Sequence, residues 1–166
     1  MPARPGYHLA QTNVARLVAP RGDPRVAAFT DNIARINGLA ARMPGFVWVM
    51  DEKEDPAASH ALYGFGTDDL LTVTVSVWDS PEALEHFVFN TLHVQFFRRK
   101  AEWFEVLKQA YLALWWVPEG DRPTLIEARD RLVRRTEAGD SDAAFGWDWM
   151  RAQGWLTTVP PARGAA

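Results

Sequence analysis

Four histidines, His8, His60, His86 and His93, are the side chains of this chain best suited to moving protons near neutral pH. There is no cysteine, which excludes disulfides, thiolate catalysis, iron–sulfur clusters and thiolate zinc sites. His86 and His93 fall seven apart on one expected helix with Asn90 on the same face, a rise of about 10.5 Å. Two histidines bracket one metal at a spacing of four, so no metal site is expected. One histidine alone can act as a general acid or base, or as an axial haem ligand. The plain alternative for His93 is a satisfied helix histidine. Arg98, Arg99 and Lys100 form a short basic run. It reads as a solvated helix face, unless Arg99 turns inward to hold a carboxylate or phenolate. Arg99 and Trp103 are four apart and can stack. GFGTDD at residues 64–69 lacks the spacing of a phosphate loop, and Asp68-Asp69 reads as a solvated turn. No nucleophile elbow is present.

The elements that must carry these groups follow from hydrophobic spacing. Tyr7 to Ala15 reads as a strand. Asp23-Pro24 opens a helix whose apolar residues recur as Val26, Phe29, Ile33, Ile36 and Ala40, stopped by Pro44-Gly45. Phe46 to Met50 is a second strand, and residues 51–68 read as a long polar loop. Leu70 to Trp78 alternates: Leu71, Val73, Val75 and Val77 on one face, Thr72, Thr74, Ser76 and Trp78 on the other. Ser80-Pro81-Glu82 opens a helix expected to run to about Lys108 with a bend at Asn90-Thr91. Tyr111 to Val117 is a fourth strand, and Thr124 with Glu127 forms a capping box for a last helix to about Ala138. In the tail, Phe145, Trp147 and Trp149 alternate and share a face if extended.

This order predicts an α+β, ferredoxin-like βαββαβ fold with an antiparallel four-stranded sheet plus a C-terminal helix. The four strands carry bulky apolar residues on both faces, so the sheet face away from the helices is expected to be buried by a second subunit, in a homodimer. Length and composition agree with one domain: 166 residues, 48% apolar. Residues 1–6 are expected to be a disordered leader, 7–138 the domain, and 139–166 a partly ordered, Trp-containing tail. The net charge of −3 argues against a nucleic-acid partner. No apolar run is long enough to span a bilayer and no signal peptide is evident, so no membrane partner and a cytoplasmic location are expected. Eight tryptophans among 12% aromatic residues point to an aromatic cavity, a large interface, or both.

The segments YHLAQTNVARL, INGLAARMPGFVW, VSVWDSPEALEHFVF, HVQFFRRKAEWF and LALWWVPEGDRPT resemble an uncharacterised bacterial family, domain of unknown function 3291, over about residues 7–135. The resemblance leaves the tail after about residue 143 outside. It differs at Asp121, where the family often has a histidine before Arg-Pro. It implies membership of the dimeric α/β-barrel superfamily, whose relatives include cofactor-independent monooxygenases, haem-degrading enzymes and chlorite dismutase-like haem proteins. Such a barrel would line a cavity with the sheet face turned away from the helices. Gln11, Asn13, Thr72, Thr74 and Ser76 are the expected polar lining, and Trp103 and Trp116 the walls. By resemblance, Asn13 and Trp78 would steady an oxyanion while His93 assists proton transfer. Arg99 joins the expected substrate-binding residues on its own chemistry, if it turns inward. The functions expected are therefore a monooxygenase-like enzyme on an aromatic or polycyclic metabolite, or a non-catalytic dimeric binder of a hydrophobic ligand. A third is a haem-binding or haem-degrading protein. No cofactor is expected under the first two.

Overall fold

The computed structural model describes residues 4–50 and 70–156. The expected loop 51–68, His60, the GFGTDD segment and the last ten residues lie outside that set.

Four strands form one antiparallel sheet: β1 (Tyr7–Arg16), β2 (Phe46–Val49), β3 (Leu71–Trp78) and β4 (Leu112–Pro118). Their spatial order is β2-β3-β1-β4. The α+β class and the antiparallel sheet expected from the sequence are thus present. The sheet is open among the described residues.

Helix starts follow their caps. The Asp23 carboxylate accepts from the Arg25 amide ahead of α1 (Pro24–Thr30). Ser80 Oγ accepts from Ala83 N ahead of α3 (Pro81–Asn90). Thr124 Oγ1 accepts from Glu127 N ahead of α6 (Leu125–Ala138). Each cap satisfies an amide that the helix cannot.

Helix lengths depart from expectation. The single helix expected after Asp23 is broken into α1 and α2 (Ile33–Ala40). Its junction is Thr30-Asp31-Asn32, where Thr30 Oγ1 donates to the Val26 carbonyl and Asn32 Nδ2 to that of Ala28. Such local bonds compete with helix continuation. The helix expected to reach Lys108 breaks into α3, α4 (His93–Arg98) and α5 (Lys100–Trp103), and residues 104–111 are not helical. The first break is the expected bend, sharper than foreseen: Thr91 is extended, at φ −125° and ψ −173°. The tail corrects the alternation argument. Only Phe145 is extended, bridging to Leu114 on the outer edge of β4, while Trp147 and Trp149 lie on α7 (Trp147–Ala152).

The register assigns the faces. Leu9, Gln11 and Asn13 sit opposite Trp78, Ser76 and Thr74, and opposite Trp116, Leu114 and Leu112. On this face Leu9, Trp78, Leu112 and Leu114 pack with Ala40 of α2, Leu84 and Phe87 of α3, and Met150 of α7. The other face, with Ala10, Val75, Val77, Trp115 and Val117, packs on Leu125 and Ala128 of α6. Burying one such aliphatic side chain contributes about 1.5–3 kcal/mol.

Two expectations change. The polar residues Gln11, Asn13, Thr72, Thr74 and Ser76 face the helices α2 and α3, not the side turned away from them. And that far side is covered by the chain's own α6 over β4 and β1, so its burial does not need a second copy there. One glycine fixes the approach of the layers. Gly45, at φ 81°, turns the chain into β2 where a Cβ would collide with Ala83 and Asp79.

Candidate functional site

The helix-facing side of the sheet is apolar except for one stripe. From deep to shallow it runs Trp78, Ser76 with Gln11 beside it, Thr74 with Asn13 beside it, and Thr72. Trp78 is fully buried and Ser76 is 6% exposed, whereas Gln11, Thr74 and Thr72 are half-buried and Asn13 is exposed. Strand alternation places these residues, and the antiparallel register of β1 and β3 makes them neighbours.

The groups bond to each other in two sets. Ser76 Oγ accepts from Gln11 Nε2 and from Trp78 Nε1, each at 2.9 Å. The Thr74 hydroxyl donates to Asn13 Oδ1 in a short contact, which leaves the Asn13 amide N–H groups as donors. Thr72 Oγ1 lies 3.4 Å from the Ala15 carbonyl.

Aromatic rings join the stripe to a histidine. The Trp78 indole stacks on Phe87 with centroids 5.2 Å apart, and Phe46 meets it edge-on at 5.4 Å. Phe87 in turn lies 5.0 Å from the His93 ring. The break at Thr91 sets up this histidine. Thr91 Oγ1 donates to the Phe87 carbonyl at 2.6 Å and accepts from the His93 amide at 3.2 Å. His93 Nδ1 lies 3.2 Å from the Val88 carbonyl. A carbonyl only accepts, so Nδ1 carries the proton and Nε2 keeps a lone pair. Burial pushes the His93 imidazole below its ordinary value, against the opposing pull of the Val88 carbonyl. A neutral imidazole with Nε2 open is a proton acceptor or a metal-ligating nitrogen.

The other expected residues stand elsewhere. Arg99 is exposed and paired with Glu102 through two bonds of 2.8 and 2.9 Å. Its guanidinium lies 4.8 Å from the centre of the Trp103 ring, the stacking foreseen from their spacing. The Arg99 hydrogen bond holds the Glu102 carboxyl below its usual range. Trp103 is buried among Phe29, Phe96 and Phe104 beside the far end of β1. Trp116 shares the stripe's sheet face but packs against Phe145 and Trp155 of the tail. His8 lies on the α6 side of the sheet and His86 is exposed on α3. A cavity of about 190 Å³ opens on the α6 side, bordered by Val14, Leu132 and Thr136, and no candidate residue lines it.

Phe87, Val88 and Thr91 were not singled out by sequence. Their signal was the Asn90-Thr91 break itself, since the first carbonyls freed by a helix end are the ones a nearby imidazole can reach. Buried Glu85 of α3 and its partner Arg151 of α7, 3.3 Å apart, carried no signal. Their ion pair ties the tail helix to the helical layer above the stripe. Among the described residues no group of three or more His, Asp or Glu is placed to hold a metal ion. No helix there is long and apolar enough to cross a membrane.

Sheet and stripe define an α+β protein with a polar line set into an aromatic layer. The family described as Domain of unknown function (DUF3291) matches residues 8–157, and the chain belongs to it. The match corrects the expected extent of the resemblance: Trp147, Trp149 and Trp155 lie inside the family's span. No curated protein matches. Two solved structures are similar at low level. One is NE2512, a protein of unknown function from Nitrosomonas europaea, at 13% identity and TM-score 0.43, covering 72% of this chain and 95% of that one. The other is PA3566 from Pseudomonas aeruginosa, at 13% identity and TM-score 0.44, covering 72% of this chain and 100% of that one. Likeness at this level says nothing about the site.

Proposed function

We propose that the protein binds a planar aromatic molecule between the sheet and the helical layer, against the stripe from Ser76 to Asn13. The observation that carries this reading is His93. It is a half-buried imidazole with its titration pushed down by desolvation, Nδ1 fixed by the Val88 carbonyl and no partner on Nε2 among the described residues. It stands one ring away from Trp78, beside a stripe that grades from buried to exposed. Polar groups in an apolar, aromatic setting orient small ligands. In the enzymatic form of this reading, a phenolic ligand gives its proton to His93 Nε2. The resulting oxyanion is met by the Asn13 amide N–H groups. Dioxygen is then the co-substrate and the ligand itself the reductant: one oxygen atom enters the ring, the other leaves as water, and the phenol is oxidised to a quinone. A homodimer is proposed with it, and the mass in solution tests that directly.

The test is titration of naphthol into the full chain, followed by calorimetry, with oxygen uptake measured in parallel. The expected result is saturable binding that Phe87→Ala weakens, and oxygen uptake that His93→Ala abolishes while binding persists. Binding with no oxygen uptake leaves the non-catalytic binder, and no binding removes the reading altogether.

The same open Nε2 supports haem as a second reading, with His93 as the axial ligand. When bound, haem would supply the oxygen chemistry. A Soret band on haem addition that disappears in His93→Ala is the expected sign, and an unshifted haem spectrum removes it.

A further inference from the structure

One proton in the stripe has no destination. A serine hydroxyl offers two lone pairs and one hydrogen. Ser76 Oγ accepts from both Gln11 Nε2 and Trp78 Nε1, so its lone pairs are used and only its hydrogen is left to give. Among the described residues nothing accepts that hydrogen, although Ser76 is 94% buried by its 6% exposure. A buried donor left without an acceptor is costly, and two N–H groups donating to the oxygen make the hydroxyl a stronger donor. Two of its neighbours on the stripe are already spent. The Trp78 indole N–H ends on Ser76, and the Thr74 hydroxyl ends on Asn13 Oδ1.

We propose that the Ser76 hydroxyl is a second oxygen-recognising donor of this site, deeper than the Asn13 amide, and that its ligand is an uncharged aromatic molecule bearing a ring carbonyl. The proposal rests on the reading of the stripe as an aromatic-ligand site and names the ligand class within it. The charge argument separates a carbonyl from a carboxylate. The cation expected to meet a carboxylate, Arg99, is exposed and held by Glu102. A full negative charge brought to Ser76 would lose its hydration with no countercharge from Arg99, whereas a carbonyl needs one donor. Gln11 and Trp78 act as positioning residues. They hold the oxygen of Ser76 so that its hydrogen points away from both.

The test compares naphthoquinone with naphthalene, two ligands alike in shape and different in the carbonyl. Calorimetric titration of the full chain is expected to show naphthoquinone bound about tenfold more tightly. Ser76→Ala is expected to erase that preference while keeping the affinity for naphthalene, and Ser76→Thr to restore it. Should Ser76→Ala fail to fold, the wild-type chain still decides. The infrared carbonyl stretch of bound naphthoquinone must shift to lower frequency than in an apolar solvent. Equal binding of both ligands, or an unshifted carbonyl, overturns this inference and leaves aromatic binding standing. Binding of neither overturns both.

Discussion

Two buried tryptophans on opposite faces of one sheet resolve their indole N–H groups in different ways. Trp115 donates to Glu127 Oε1 at 3.0 Å, and that carboxylate is held in turn by Arg131 at 3.2 Å. Arg131 also donates to the Ala143 carbonyl. That set is closed: donors end on acceptors and charge on charge. Trp78 donates to Ser76, which is left with a hydrogen to give. Both rings are fully buried, so burial does not separate them. What separates them is whether the polar chain behind the ring terminates. A terminated chain stabilises the fold, and an unterminated one waits for a partner from outside.

The contrast can be broken from either side. The largest effect is expected from Trp115→Ala, which empties a filled core position and should lower unfolding stability by about 3–5 kcal/mol. Denaturant titration measures it, and a loss below 1 kcal/mol would mean the α6 side is not the structural half. Next, Trp115→Phe removes a hydrogen bond to a charged acceptor and should cost about 1.5–3 kcal/mol. Trp78→Phe removes one to a neutral hydroxyl and should cost about 0.5–1.5 kcal/mol. The order of the two melting shifts is the result that matters, and its reversal would refute the comparison.

Smaller still is the effect of pH through His93. Held below its ordinary 6.5 in the fold, this imidazole binds fewer protons there than in the unfolded chain. Its contribution to stability is therefore whole above 6.5 and lost as pH falls below that value. Melting curves of wild type and His93→Gln should converge at neutral pH and separate on acidification, with the wild type losing more. Parallel curves would place the titration elsewhere. Least of all, Arg99→Ala removes an exposed pair and should leave both the melting temperature and naphthoquinone binding unchanged.

Much of this architecture was legible in the residues. The alternation from Leu71 to Trp78 assigned the two faces of β3 correctly, because a strand has a fixed period of two. The caps at Asp23, Ser80 and Thr124 marked their helices because each bond is local. Which face the helices cover was not legible. That depends on crossover connections and on where α6 comes to rest, both of them non-local. The residues of the stripe are neighbours, as their alternation implies, but they lie on the side of the sheet covered by α2 and α3. His93 was named for its residue type. The carbonyl that fixes its tautomer became visible only with the break at Thr91, whose depth no periodicity reports. Trp147 and Trp149 misled for a related reason: three alternating aromatics fit a strand, but only Phe145 finds an edge to pair with.

That pairing has a consequence for solubility. Phe145 exchanges backbone bonds with Leu114 at 2.9 and 2.8 Å, along the outer edge of β4. It thereby blocks the middle of a strand that would otherwise present unpaired amides to any extended chain. The guard is held from behind by Arg135, which donates to the Leu112 carbonyl and bonds Asp140, and whose guanidinium would collide with any Cβ at Gly146. Cutting the chain after Ala138 would strip the guard and leave the apolar run LALWWV as an open template. Such a truncation should drive the protein toward edge-to-edge aggregation even where its stripe and His93 remain intact.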